Sequence, residues 1–181
     1  MAARGRSVSI GAALAVLLAA PPAAAQEWIG TFGDWNAFRT TVDGRLVCYM
    51  SSTPLDMEPK SVRRGSVYVR VTRDGDRRDV VSVLPGYTIE PEGIAVVTVD
   101  ATEFRMRVAP PSSPAAPAGA NAVASAAFNP TPAQDQAMVR AMIAGTRMVV
   151  KATAGRGPAT TDTYSLTGFT AAHNAMGLTC R

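Results

Sequence analysis

The chain has little of the chemistry from which active centres are usually built: its 181 residues include one histidine, His173, and two cysteines, Cys48 and Cys180. Without C-x-x-C or H-x-x-x-H spacing these three cannot fill a usual zinc site. The missing C-x-x-C also argues against a redox-active pair. No G-x-x-x-x-G-K-S/T or G-x-G-x-x-G segment offers a phosphate cradle, no H-E-x-x-H a zinc helix, and no D-x-D-x-D-G a calcium loop. "GDRRD" is acidic but wrongly spaced for calcium, and Glu90 and Glu92 flank Pro91 in a loop and read as solvated. No metal or cofactor is therefore expected. Long apolar runs are also missing beyond residue 25, which excludes a membrane-spanning helix there.

What is present begins at the N-terminus. "MAARGRSVSIGAALAVLLAAPPAAAQEW" sets Arg4 and Arg6 before an apolar run from about Ile10 to Ala20, with Ala23-Ala24-Ala25 as small residues for cleavage. That pattern predicts a secretory signal peptide over 1–25, cut after Ala25. Pro21-Pro22 ends the run short of the roughly 18 to 20 residues an anchor needs. Its removal takes two arginines and no acid, lowering the net charge from +4 to +2. So small a balance, with acids scattered among the arginines, gives no nucleic-acid footprint. Arg63, Arg64, Arg70, Arg73, Arg77 and Arg78 do cluster, but Asp74, Asp76 and Asp79 interrupt them. The cluster reads as a solvated hairpin surface rather than an anion or lipid-headgroup patch. In an exported chain Cys48 and Cys180 are expected to pair. A bond closing so long a loop constrains the unfolded state by about 4 to 5 kcal/mol.

The remaining residues, 26–181, suit one β-rich domain with a single core. "APPSSPAAPAGANAVASAA", 109–127, has no charge and no period, and is expected to be a flexible Pro/Ala-rich insertion. Before it, "SVYVRVT" alternates Val67, Val69 and Val71 against Ser66, Tyr68, Arg70 and Thr72, as a half-buried strand does. Asp74-Gly75 then turns the chain into "DVVSVLP", completing a hairpin. "GIAVVTVD" and "EFRMRV" predict a second hairpin, the latter with Phe104, Met106 and Val108 inward. "RLVCYMS" predicts a strand carrying Cys48. After the insertion Thr131 can cap a helix over about 132–144, with Pro132 first, Gln134 in the capping box and Gly145 as a left-handed stop. Its apolar stripe is Ala137, Met138, Ala141 and Met142. "RMVVKAT" returns as a strand, "GRGPATTD" reads as a polar turn, and "TYSLTGF" as a last strand with Tyr164 and Leu166 assigned to opposite faces. These elements predict a mainly β fold: an antiparallel β-sandwich or partly closed barrel, one α-helix, and a short C-terminal helical turn.

"TDTYSLTGFTAAHNAMGLTC" holds Asp162, Ser165 and His173, the residue types of a hydrolase triad. Types alone do not make a triad, and Ser165 lacks a G-x-S-x-G elbow. Ser165 reads as a sheet-surface hydroxyl. His173 reads as part of a helical turn capped by Thr170 and ended by Gly177.

"GDWNAF" (33–38), "LVCYMSSTP" (46–54), "RRGSVYVRVT" (63–72), "DVVSVLPGY" (79–87) and "DTYSLTGFTAA" with the late Cys180 resemble, in order, the invasion-associated locus B family of exported bacterial proteins. Only the insertion from Ala109 departs from that pattern. The resemblance implies an envelope or secreted protein without known enzymatic activity, associated in pathogenic members with attachment to or entry into host cells. The expected function is non-enzymatic binding of a protein or cell-envelope component, in the periplasm or beyond. The alternatives are an envelope-structural protein, or a hydrolase using Ser165 and His173.

Overall fold

The computed structural model describes residues 26–89, 93–109, 126–153 and 157–180. The expected signal peptide, Glu90 and Glu92, residues 154–156 of the polar turn, and positions 110–125 of the insertion lie outside the described residues. The strands are β1 (Glu27–Phe32), β2 (Trp35–Val42), β3 (Arg45–Ser52), β4 (Asp56–Glu58), β5 (Tyr68–Asp74), β6 (Arg77–Leu84), β7 (Ile94–Val99), β8 (Thr102–Ala109), β9 (Ala126–Phe128), β10 (Arg147–Thr153) and β11 (Ala159–Ser165); the helices are α1 (Pro132–Ala144) and α2 (Phe169–Thr179).

Both predicted hairpins form, as β5–β6 and β7–β8, because each couples a period-two apolar strand to a short polar turn. All the strands join one antiparallel sheet in the order β1-β2-β3-β5-β6-β9-β8-β7-β10-β11-β4. One core cluster draws Val71 and Val81 from the first half of that order and Val97, Met106, Met148 and Tyr164 from the second. The sheet must therefore fold over on itself so that one face of each half meets the other. β1 and β4 remain edges, and contacts outside the ladder bring the two ends together. The Trp35 indole N–H donates to the Ser165 carbonyl at 3.1 Å, and the Asp34 N–H to the Thr167 carbonyl at 3.0 Å. Gly168 sits at φ +88° with the Phe32 carbonyl oxygen only 1.9 Å from where a Cβ would stand. Only glycine fits that crossing, on both backbone and steric grounds.

Helix α1 spans the predicted residues. The Thr131 hydroxyl oxygen accepts from the Gln134 N–H at 3.3 Å, with Pro132 in the first turn. Met138 and Met142 of the stripe are buried, joined by Val139 and, unexpectedly, Asp135, while Ala137 and Ala141 are half-buried. Gly145 is not left-handed but extended, at φ −88° and ψ 171°. A Cβ there would meet the Ala141 carbonyl oxygen and Val99, each at 2.9 Å, so close packing selects this glycine.

The C-terminal helical turn proves longer than its sequence signals suggested. Helix α2 starts after Gly168, runs through Gly177 and ends at Cys180. Thr170 lies inside it and gives its hydroxyl proton to the Ile143 carbonyl at 3.4 Å, so it is not the cap. Three further expectations change. Ala109 and Ala126–Phe128 are strand residues paired across β8 and β9, so the insertion begins and ends later and earlier than its composition implied. Ala159–Asp162 belong to β11 rather than to a turn. Their polarity misled because Thr160 and Asp162 are buried against partners remote in sequence, Tyr87 and Arg64. Tyr164 and Leu166 both enter the core, as a spacing of two along an extended chain requires.

Candidate functional site

Each expected site residue has a definite place. Cys48 on β3 and Cys180 after α2 are bonded, with Cα atoms 6.0 Å apart and a separation of 132 in sequence. The bond fastens α2, which packs on β1, β2 and β3, to the sheet beneath it. The Asp162 carboxylate is paired with the Arg64 guanidinium, both side chains almost fully enclosed. The Ser165 hydroxyl oxygen accepts from the Thr167 N–H at 3.0 Å. His173 Nε2 lies 3.1 Å from Asp79 Oδ1 and 3.2 Å from Arg73 Nη2. Asp162, Ser165 and His173 thus have separate partners and do not assemble as nucleophile, base and orienting acid.

His173 instead ties α2 to the β5–β6 hairpin. A β-bulge sets Arg78 and Asp79 of β6 against the single residue Arg73 of β5, with Asp79 at φ +59°. The bulge sends Asp79 toward α2, where Arg73 Nε also donates to it at 2.8 Å. His173 stacks on Phe169, ring centroids 6.1 Å apart. Burial alone would raise the Asp79 pKa, but the hydrogen bonds from His173 and Arg73, with their charges, outweigh it and hold the group at about 2. A carboxylate depressed in the fold contributes stability above its unfolded pKa and loses it as pH falls through the folded value. Acid unfolding should therefore steepen between about pH 4 and pH 2. Asp79→Asn should remove about 1–2 kcal/mol at pH 7 and flatten that limb, as measured by urea unfolding at pH 7, 4 and 2.5. An unchanged acid limb would contradict this assignment.

The arginine cluster is not one solvated surface. Arg64 and Arg70 are enclosed, Arg73 is largely so, and Arg63, Arg77 and Arg78 remain accessible to different degrees. The bulge also sets Arg77 on the same face as Val80 and Thr72. There a cleft of about 380 Å³ opens between the start of β6, the link from β9 and the first turn of α1. Val80, Phe128, Pro130 and Pro132 give it an apolar lining, Arg77 and Arg78 a cationic side, and Asp76, Asp135 and Gln136 a polar side. Asp135 Oδ1 accepts from the Val81 N–H at 3.0 Å and from the Asn129 amide at 2.9 Å. It thereby occupies the sheet edge beyond the short β9. Burial pushes the Asp135 carboxyl above the usual carboxylate range despite those bonds.

This lining suits binding of an apolar group with polar flanks better than proton transfer, since the one enclosed acid is committed to backbone and amide donors. The cleft was not foreseen, because its walls meet only through the β6–β9 pairing. The usable signal was Asp135 on the buried side of a helix whose apolar stripe was otherwise legible. Among the described residues no group of acids, histidines and cysteines could hold a metal ion, and no helix is long and apolar enough to cross a membrane.

These features define a class: a folded-over antiparallel sheet with two packed helices, closed by one long-range disulfide and bearing a ligand-sized cleft. The chain belongs to the invasion associated locus B (IalB) protein family, whose model matches residues 35–177. It is similar to the crystal structure of invasion associated protein B from Bartonella henselae, with a TM-score of 0.54 and 20% identity over 83% of this chain and 95% of that one. At that identity the likeness establishes the fold. A search of curated proteins found no match.

Proposed function

We propose that this is an exported envelope or secreted protein that acts without catalysis, by binding a protein or cell-envelope component through the β6–β9–α1 cleft. The observation that carries the reading is the cleft itself, lined by apolar side chains together with Arg77 and Arg78. Pockets of this kind, in which apolar walls supply affinity and a few polar groups orient the ligand, are the usual form of a binding site. Family membership and the signal-like N-terminus support export, and the Cys48–Cys180 bond suits an oxidising compartment.

The test is capture from envelope fractions with the purified mature protein, in parallel with Arg78→Glu and Gln136→Trp, which reverse one flank and fill the cleft. A specific partner should be retained by the native protein and reduced at least tenfold by either variant, with unfolding curves unchanged. Equal retention by all three proteins would remove the cleft from the function.

A further inference from the structure

Alternation along β5 sends Val69 and Val71 into the core and Tyr68, Arg70 and Thr72 to the opposite face, where an arginine would ordinarily extend into water. Arg70 instead is 6% exposed. The rings of Tyr49 and Tyr68 lie 5.4 Å and 5.9 Å from its Cζ, covering the guanidinium. Its Nε and Nη2 are enclosed and have no hydrogen-bond partner. Those two nitrogens lie along one edge of the guanidinium and point their hydrogens in parallel, the pair that grips both oxygens of a carboxylate. Nearby groups do not supply the missing acceptor. The Ser82 hydroxyl donates to the Arg70 carbonyl, and the Asp74 carboxylate is paired with Arg45 at 3.7 Å. Two residues along the same strand face, the Thr72 hydroxyl is likewise enclosed without a partner.

A guanidinium stays charged at any physiological pH, and an enclosed, unpaired charge is costly unless a counterion arrives. We propose that Arg70 is an anion-binding residue that takes a carboxylate in bidentate fashion through Nε and Nη2, with the Tyr49 and Tyr68 rings against its guanidinium. Two parallel donors between aromatic rings match a planar carboxylate better than a tetrahedral phosphate, which needs donors on more sides. On the same strand face Thr72 lines a small hollow with Asp74, Arg77 and Val80, and Val80, its partner across β5 and β6, also lines the cleft. The assignment goes beyond the proposed envelope partner, because it concerns purified protein and a small anion.

The experiment titrates purified mature protein with benzoate, acetate, inorganic phosphate and chloride at matched ionic strength, following the Arg70 Nε–Hε NMR resonance and the unfolding temperature. Benzoate and acetate should each give a saturable shift of that resonance and raise the unfolding temperature. Arg70→Met should fold with stability equal to or above the native protein, having lost an unpaired charge, and should lose the response to carboxylates. Arg70→Lys, which keeps the charge but not the fork, should weaken the response at least tenfold. No saturable shift with any anion, or a shift that chloride reproduces, would overturn the site. A response to phosphate alone would overturn the carboxylate assignment. A carboxylate response retained in Arg70→Met would place the anion elsewhere.

Discussion

Replacing both Cys48 and Cys180 by serine lowers the unfolding free energy by about 4 kcal/mol, within the range usual for loss of a native disulfide. The bond joins residues 132 apart. A loop that long gives the largest entropic restriction of the unfolded chain, about 5 kcal/mol in the chain-entropy account. For a domain of this size the loss corresponds to a fall in unfolding temperature of roughly 8–16 °C. The native side adds locality: Cys180 fastens the end of α2 over β3, so the double serine variant should release the C-terminal helix first. Amide exchange would show this as early loss of protection in α2 while the β7–β10 ladder stays protected. Thiol counting on the exported, unreduced protein should find no reactive thiol. Two reactive thiols in the native protein, or a serine variant as stable as the parent, would contradict the account.

Asp162→Ala should cost about 3–5 kcal/mol, the usual penalty for leaving one partner of an enclosed ion pair alone. The Arg64 side chain is 5% exposed and that of Asp162 1%. Without the carboxylate, Arg64 keeps, among the described residues, the Glu58 carbonyl at 3.1 Å and the Tyr87 ring 5.7 Å from its guanidinium carbon. The pair is nevertheless not a large source of net stability. Burial raises the Asp162 pKa more than the Arg64 bond and charge lower it, and Asp162 Oδ2 has no partner. A carboxyl raised in the fold favours the fold when protonated, and that contribution disappears as pH rises through the folded pKa. The double variant Arg64→Met with Asp162→Leu should therefore lie within about 1 kcal/mol of the parent, or above it, while each single change is damaging. Urea unfolding of the four proteins closes the cycle. A double variant as damaged as either single change would show that the pair stabilises the fold outright, and strictly additive losses would show that the two residues do not interact.

The pair also marks what the residues disclosed and what they hid. Helix α1 was legible because Thr131, Pro132 and Gln134 act within one turn. The hairpins were legible because alternation and turn residues are local. Cys48 and Cys180 were legible from their number and the export signal. Arg64, Arg70 and Asp162 were not, because their enclosure depends on which strands cover them, and β11 meets the β4–β5 link only after the sheet folds over. The length of α2 was misread for the same reason. Gly177, a stop by propensity, lies where a Cβ would stand 2.7 Å from Arg73 Nη1, so packing of α2 on the sheet decides that residue. The cleft was hidden because β9 is three residues long and sets its walls together by pairing between β6 and β8.

The most direct measurement is photo-crosslinking in the native envelope from a benzophenone residue placed at Gln136, which lines the cleft, with Thr41, exposed on β2, as the comparison position. A binding protein that works through the cleft predicts a discrete adduct from position 136, absent from position 41 and abolished by Arg78→Glu. Identical adducts from both positions, or none from position 136 in a correctly exported and oxidised protein, would contradict it.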